Sequence, residues 1–546
     1  MAVNLIDTTQ GLRFAAPPGA TPAEDLGQRL EQLNAIGASL SAERDIDRLL
    51  EAILTAAKTI TRADGGTLYR VTDEKALRFE IVRTSSLKYY LGGTSGNPVP
   101  FYPIQLYKDG KPNHGMVAAH AALTGKTVNI ADAYAAEGFD FSGTRAFDSK
   151  TGYRSKSFLT VPMRNHEHEA IGVLQLINAQ DPRTGEIVAF SESDQRLAES
   201  LASQAAIALT NRMLINQLEQ LFESFIALIN TAIDEKSPYT GGHCQRVPQL
   251  TMMLAEAVND TREGSLADFH MTEKDRYELK IAGLLHDCGK VTTPVHVVDK
   301  ATKLETIYDR IHLIDTRFEV LKRDIELQEA KGQLDRPQVQ RRLRELDDDR
   351  RFLHACNIGG ERMKDEDMER VRRIAAYRWR DVTGHEANFL SEDEVKNLTI
   401  RAGTLTAEER QVINHHIVAT IKMLEALPWP RHLTSVPEYA GGHHERMDGK
   451  GYPRGLKREQ MSVQARCMGI ADIFEALTAK DRPYKKGKTL SESLEILGKM
   501  KLNQHVDPDL FDVFVRRKVY RRYAEMFLDK EQIDDVDEAK IPGYAP

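Results

Sequence analysis

Histidines and carboxylates recur along this chain in an order that could hold metal ions. Residues 281–290, IAGLLHDCGK, place His286 and Asp287 at the end of an apolar helical run. Two adjacent side chains can bind a metal ion only if other segments bring further ligands. The candidates elsewhere are His243, His416, His443, His444 and Asp472. Such imidazole and carboxylate ligands favour iron, manganese or zinc over magnesium or calcium, in the core of a helical bundle.

Composition excludes several classes of function. The chain has 546 residues and a formal net charge of −7, with ordinary hydrophobic content. Because no basic surface is implied, we expect no nucleic-acid partner. The N-terminus lacks the pattern of a signal peptide, and no run of about 18 apolar residues occurs. We therefore expect a cytoplasmic protein without membrane association.

The ordered set H…HDCGK…H…HHERMDGKGYP…AD…DRPYK resembles the HD-GYP phosphodiesterases, a subclass of the HD metallohydrolases. The run HHERMDGKGYPRGL at 443–456 is its most specific part. Members hydrolyse the bacterial second messenger cyclic di-GMP. The resemblance implies a metal-dependent phosphodiesterase that yields linear pGpG or GMP. Two alternatives stay open, namely action on another cyclic nucleotide or dinucleotide, and a nucleotide-binding signalling module without catalysis.

The resemblance also implies a role for each ligand. Asp287 would bridge two divalent metal ions, with iron favoured over manganese or zinc. One ion would be held by His243, His286 and Asp472. The other would be held by His416, His443 and His444.

The substrate would be bound by basic residues and by a tight loop. Lys290, three residues after Asp287, can reach the scissile phosphate as a fixed cation. Arg482 and Lys485 would hold the second phosphate of a cyclic dinucleotide. The glycine-rich loop that contains Gly451, Tyr452 and Pro453 could place backbone N–H groups against a phosphate or a guanine.

Two features of the ligand set stay open at this point. Some family members carry a glutamate one turn before the first histidine, which recruits a third metal. Tyr239 stands there in this chain, which favours two metals, although Asp234 and Glu235 lie farther back. His312 resembles the mid-chain histidine, but the longer match around His416 favours that residue.

The N-terminal half resembles a GAF domain, through SKSFLTVPM at 155–163 and IGVLQLINA at 171–179. One subset of GAF domains binds cyclic nucleotides through a five-residue pattern. Asn178, Phe190 and Asp194 match that pattern, whereas Ala179 replaces its lysine. The resemblance thus implies a cyclic nucleotide, another small ligand or no ligand at this domain.

These patterns predict an α+β sensor domain, a long connecting helix and an all-α HD-type bundle. We expect the connecting helix to pair with its twin in a homodimer. For the charge-dense insertion in the catalytic domain, the sequence predicts exposed helices with solvated faces. The predicted boundaries are a flexible arm at 1–22, the GAF domain at 23–212, the helix at 193–234, the catalytic domain at 235–530 with its insertion at 301–404, and a tail at 531–546.

Overall fold

The computed structural model describes residues 22–237, 242–360, 362–479 and 487–545. It divides into two compact units, Met1–Leu221 and Phe222–Pro546. Most of the predicted arm lies outside the described residues, as do Tyr239, Arg482 and Lys485. None of the described helices combines the length and the apolar character that a membrane span needs.

Within its described residues, the first unit contains an antiparallel sheet and four α-helices before its long final helix. The helices are α1 (Pro22–Ala42), α2 (Ile46–Thr61), α3 (Val117–Thr124) and α4 (Ser142–Thr151). The strands are β1 (Ala63–Val71), β2 (Ala76–Thr84), β3 (Tyr89–Gly92), β4 (Ile104–Gln105), β5 (Tyr107–Lys108), β6 (Lys111–Pro112), β7 (Val128–Ile130), β8 (Phe158–Arg164), β9 (Ala170–Gln180) and β10 (Ile187–Val188).

The main sheet has the order β3-β2-β1-β9-β8-β7, with β4 and β10 paired at its margins. Opposite faces of each strand bury different residues, as the period of two requires. Leu68 lies in the core with α2, whose buried positions include Leu49 and Ile53. Tyr69 lies in a second core with Ala118 and Ala121 of α3. This is the α+β unit that the sequence predicts.

The connecting helix is α5, which runs without interruption from Glu192 to Lys236. Its 45 residues span about 67 Å at 1.5 Å per residue. In the first unit it buries Leu201 and Leu209, and in the second unit it buries Ile226 and Ile233. The helix is therefore slightly longer than the predicted 193–234.

The second unit is built almost entirely from helices. They are α6 (His243–Asn259), α7 (Glu273–Leu285), α8 (Val295–Val298), α9 (Ile311–Ala330), α10 (Arg336–Asn357), α11 (Asp365–Ala375), α12 (Glu392–Leu398), α13 (Ala407–Glu425), α14 (Val436–Gly441), α15 (Val463–Thr478), α16 (Leu490–Leu502), α17 (Pro508–Arg516) and α18 (Val519–Phe527). A two-stranded hairpin, β11 (Arg378–Arg380) and β12 (Glu386–Asn388), adds a small β element to the predicted all-α bundle.

Local sequence signals start three helices that carry or directly precede predicted ligands. Thr272 and Asp275 form a capping box before α7, and Thr406 and Glu409 form another before α13. The Ser462 side chain caps α15. Each cap satisfies N–H groups that the first helical turn leaves free, so it favours one starting residue for the helix. The starting residue in turn determines which helix face carries a given ligand.

The insertion is more than a set of solvated helices, which corrects the expectation for residues 301–404. It encloses its own hydrophobic cluster, which includes Phe318, Leu353 and Phe389 at 0% exposure. Its charged residues pair with one another, as in the 2.7 Å contact between Arg317 and Glu394. The sequence does not indicate this core, because the apolar positions are widely spaced between acidic and basic residues.

Candidate metal centre

Seven predicted side chains meet in the second unit, and we call them the ligand cluster. They are His243, His286, Asp287, His416, His443, His444 and Asp472. Asp287 lies at its centre and is 2% exposed. Its Oδ2 is 3.1 Å from His243 Nε2 and 3.3 Å from His286 Nε2. Its Oδ1 is 3.3 Å from His416 Nε2. One carboxylate therefore faces histidines from three segments of the chain.

The cluster contains two groups of three ligands that share no residue, and a third group, His286, Asp287 and His443, connects them. His243, His286 and Asp472 form one group, in which one ligand atom from each residue lies within 4.8 Å of the others. A second group, made by His416, His443 and His444, meets the same limit. These are the two sets that the family resemblance implied.

Three of the histidines are oriented by backbone carbonyls of their own segments. His286 Nδ1 lies 2.7 Å from the Gly283 carbonyl oxygen, and His443 Nδ1 lies 2.7 Å from that of Ala440. His416 makes the equivalent contact three residues back along its helix. Each Nδ1 donates a proton, so each ring presents the lone pair of Nε2 to the cluster.

Glu475 orients the fourth histidine, and the sequence analysis missed this residue. Its Oε2 lies 2.5 Å from His243 Nδ1, while its Oε1 accepts a 2.7 Å hydrogen bond from Arg246. Glu475 is 1% exposed. One signal could have found it, because Glu475 follows Asp472 by three residues and shares its helix face.

A glycine allows the His-Asp turn to lie against α13. The Gly289 N–H donates to Thr420 Oγ1 at 2.9 Å. A Cβ atom at Gly289 would lie 2.0 Å from the His416 carbonyl oxygen, far inside van der Waals contact. Any larger residue here would push α13, and His416 with it, away from Asp287.

The loop at 445–456 is held by a buried carboxylate. Glu445 is 4% exposed and accepts hydrogen bonds from the backbone N–H groups of Arg454 and Leu456, at 2.7 and 2.9 Å. A Cβ atom at Gly451 would lie 2.4 Å from the Arg446 nitrogen, so only glycine fits there. The Tyr452 ring stacks on His444 with a centroid distance of 4.8 Å. This loop therefore covers one side of the ligand cluster.

The electrostatics of the cluster favour neutral His443 and His444 beside ionised carboxylates. His243 is the opposite case, because burial opposes its protonation but Asp287, Asp472 and Glu475 raise its pKa well above the usual range. Burial lowers the pKa of His443 well below its usual range, and His444 and His286 reinforce the shift. Burial likewise lowers the pKa of His444 to about 4. Burial opposes ionisation of Asp287, yet Lys290 and the nearby imidazoles hold the pKa of this carboxyl well below its usual range.

Unsatisfied atoms test whether these residues suit metal ions. Within the described residues, the buried atoms Nε2 of His286, Nε2 of His443 and Oδ1 of Asp287 have no hydrogen-bond partner. The 3.3 Å contacts of Asp287 with His286 and His416 are not hydrogen bonds, because both rings present the lone pair of Nε2 to the carboxylate. Buried polar atoms normally have hydrogen-bond partners, so three unsatisfied atoms in one cluster indicate that the cluster binds something else. Imidazole nitrogens and carboxylate oxygens are the donors that iron, manganese and zinc prefer. The residues therefore fit divalent metal ions.

The other candidate histidines do not join the cluster. The His312 side chain is 77% exposed on α9, and His415 points to solvent on α13. His416, one residue farther, is 4% exposed and contacts Asp287. The preference for His416 over His312 thus agrees with the geometry.

Lys290 lies beside the cluster without belonging to it. Its ammonium nitrogen is 2.5 Å from Asp287 Oδ2, and Asp287 raises the pKa of Lys290 against the effect of burial. The lysine therefore carries a fixed positive charge next to the central carboxylate.

The three residues of the predicted nucleotide motif have internal partners in the first unit. Asn178 Oδ1 accepts from the N–H groups of Lys156 and Ser157, and its Nδ2 donates to the Arg154 carbonyl. Phe190 lies in the hydrophobic core. Asp194 accepts from Ser191 and forms an ion pair with Arg29 of α1. Arg29 therefore supplies the cation that Ala179 cannot.

Comparison with known proteins identifies both halves of the chain. Residues 45–209 match the GAF domain model. Residues 240–375 match an HD domain model, and residues 392–510 match a second HD domain model. The two HD matches are separated inside the insertion.

Two curated relatives are similar to part of this chain. The chain is 37% identical over 116 residues to a cyclic di-GMP phosphodiesterase of Pseudomonas aeruginosa, covering 21% of this chain and 27% of that protein. It is 24% identical over 355 residues to 3'3'-cGAMP-specific phosphodiesterase 3 of Vibrio cholerae, covering 63% of this chain and 52% of that protein. The aligned region thus spans about half or less of each relative.

A solved GAF domain from an Acinetobacter phosphoenolpyruvate-protein phosphotransferase is 15% identical, with a TM-score of 0.26 over 34% of this chain and 96% of that chain. The family matches agree with the α+β unit and the helical bundle described above. By its family matches, this chain carries a GAF domain followed by an HD-domain region.

Proposed function

We propose that this protein is a metal-dependent phosphodiesterase of the HD-GYP type that hydrolyses a cyclic dinucleotide. The observation that carries the proposal is the pair of three-ligand groups around Asp287, with their unsatisfied buried atoms. Divalent cations in such a site supply Lewis-acid activation of a phosphate ester and of water. His243, His286 and Asp472 would hold one ion, and His416, His443 and His444 the other.

Other residues of the chain would bind and orient the substrate. The Lys290 ammonium beside Asp287 can stabilise negative charge that develops on the scissile phosphate. The loop with Gly451, Tyr452 and Pro453 would bound the substrate on the His444 side. Arg482 and Lys485, which lie outside the described residues, would bind the second phosphate.

Cyclic di-GMP is the first candidate substrate, and linear pGpG or GMP would be the product. The relatives support cyclic dinucleotides as a class, and one of them is named for 3'3'-cGAMP. We therefore propose cyclic di-GMP and keep 3'3'-cGAMP as the second candidate.

Chromatography of the reaction products tests both candidates. Purified protein loaded with Fe²⁺ or Mn²⁺ is incubated with each dinucleotide, and the products are separated. Faster conversion of cyclic di-GMP supports the proposal, and faster conversion of 3'3'-cGAMP assigns the second candidate. No hydrolysis of either by protein that holds its metals would contradict the proposed activity.

The metal ligands can be tested separately from turnover. His444→Ala should lose bound metal by elemental analysis, because it removes a ligand from the second group. His415→Ala is the matched control, since His415 is the neighbouring exposed histidine on α13 and lies outside the cluster. Equal metal content in the two variants would exclude His444 as a ligand.

We also propose that the GAF domain regulates the catalytic half through α5. The continuous helix from Glu192 to Lys236 supports this coupling. A ligand can shift the rate only if it binds two helix arrangements with different affinity. Cyclic GMP and cyclic AMP are the first ligands to test on the full chain, and an unchanged rate at saturation with each would exclude both.

The same helix supports a homodimer. Apolar side chains on α5 follow the alternating four-and-three spacing of a coiled coil, and all are exposed: Leu214, Leu218, Leu221, Phe225 and Leu228. Leu218→Asp should convert the dimer to a monomer in light scattering, whereas Gln217→Asp beside it should not. A full-length protein that stays monomeric at every concentration would contradict this arrangement.

A further inference from the structure

The end of α5 forms hydrogen bonds with the turn that directly follows the central carboxylate. The Lys236 ammonium donates to the Val291 carbonyl oxygen at 2.5 Å and to the Lys290 carbonyl oxygen at 3.2 Å. Both carbonyls belong to the 3₁₀ turn Cys288–Thr292, which begins directly after Asp287. The last residue of the connecting helix thus contacts the backbone of the proposed catalytic lysine.

Neighbouring contacts hold this helix end in place. Ile233, one turn before Lys236, is 2% exposed in the hydrophobic core of the second unit. Ser237 donates a hydrogen bond to Asp299. A movement of the last turn of α5 would therefore act on residues 288–299 through specific contacts.

The positive charge of Lys236 is directed at carbonyl oxygens. Among the residues that the structure describes, Lys236 forms no ion pair with a carboxylate. Hydrogen bonds from a charged donor are stronger than those between neutral groups, and they depend on the position of the donor. The Lys290 carbonyl also accepts from the Thr293 N–H at 3.1 Å, and the Lys290 N–H donates to the Asp287 carbonyl at 2.9 Å. Lys236, which lies outside the turn, therefore adds hydrogen bonds to the carbonyl oxygens of Lys290 and Val291.

We infer that Lys236 is a positioning residue, which holds the 288–292 turn so that the Lys290 ammonium stays on Asp287. This role rests on the proposed function, because its catalytic consequence is the placement of Lys290 at the scissile phosphate. Lys236 touches no member of the ligand cluster, so its removal changes the turn and leaves the metal ligands intact. It also gives α5 a direct mechanical route to the catalytic lysine.

The first measurement does not depend on activity. Amide hydrogen exchange of the full-length protein is compared between the parent, Lys236→Met and Lys499→Met. Lys499 is a matched surface lysine on α16 that pairs with Glu495. We expect exchange across residues 287–293 to rise about tenfold in Lys236→Met and to stay unchanged in Lys499→Met. Unchanged exchange in Lys236→Met would overturn the inference, whether or not the protein hydrolyses cyclic dinucleotides.

The second measurement tests the route through Lys290. With full metal content, Lys236→Met should lower kcat about tenfold with little change in KM, and Lys236→Arg should restore most of the rate because it keeps a charged donor. In Lys290→Met, adding Lys236→Met should lower kcat no further, since the two act as one unit. Independent, multiplying losses would overturn the inference, as would a loss of metal in Lys236→Met that accounts for its slower rate.

Discussion

The ligand cluster and the nucleotide motif of the GAF domain were both predicted from short sequence patterns. They differ in whether their polar atoms have hydrogen-bond partners within the protein. In the cluster, His286, Asp287 and His443 keep buried atoms without a hydrogen-bond partner. In the GAF domain, Asn178 bonds backbone groups of residues 154–157, and Asp194 accepts from Ser191 and pairs with Arg29. A motif is available for binding only where the fold leaves its donor and acceptor atoms unused.

The largest effect is expected from Asp287→Asn. The amide keeps the size of the side chain but removes the charge that faces three histidines and Lys290. We expect loss of bound metal and a fall in hydrolysis of more than about 10²-fold, since the whole cluster depends on this group. Elemental analysis and product chromatography measure both quantities. Full metal occupancy in this variant would contradict a role for Asp287 as a metal ligand.

A smaller effect is expected from Glu475→Gln, which tests whether the hydrogen bond from Glu475 orients His243 for metal binding. The change weakens the hydrogen bond that orients His243 and leaves the His243 side chain in place. Such partners of metal ligands typically contribute about 10–100-fold in metal affinity. Competition with a chelator should show weaker binding of one ion. Affinity equal to that of the parent would mean that the 2.5 Å contact does not orient His243.

Asn178→Ala tests whether the hydrogen bonds of Asn178 stabilise the GAF domain. The change leaves the part-buried N–H of Lys156 and the buried N–H of Ser157 without an acceptor, which costs about 1–3 kcal/mol of unfolding free energy. Calorimetry of the full chain should show a less stable GAF transition with unchanged metal content. Asn97→Ala, in an exposed loop, is the control. No loss of stability in Asn178→Ala would mean that its hydrogen bonds are not structural.

The smallest effect is expected from Asp194→Asn. The amide oxygen can still accept a hydrogen bond from Ser191, so only the charge opposite Arg29 is lost. We expect a decrease of about 1 kcal/mol in the unfolding free energy of the GAF domain. Glu192→Gln, an exposed position on the same helical turn, should leave stability unchanged. If both substitutions behave alike, the ion pair between Arg29 and Asp194 contributes nothing measurable.

Much of the fold was accessible from periodicity and caps. The continuous α5 follows from apolar residues at helical spacing, and the choice of His416 over His312 follows from a longer matching segment around it. The core of the insertion was not predicted, because Phe318, Leu353 and Phe389 are far apart in a sequence dominated by charges. Long-range packing of sparse apolar residues leaves no local period to detect.

The residue types that could bind metal, and their order along the chain, can be identified from the amino-acid sequence. Which of their atoms face one another depends on how the helices pack. Glu475 orients His243 across 232 positions, and Lys236 reaches the carbonyl of Val291 across 55. Such contacts depend on the packing of helices that are distant in sequence. The physical reason is that hydrogen bonds require atoms within about 3 Å, a precision that spacing along one helix cannot specify for another.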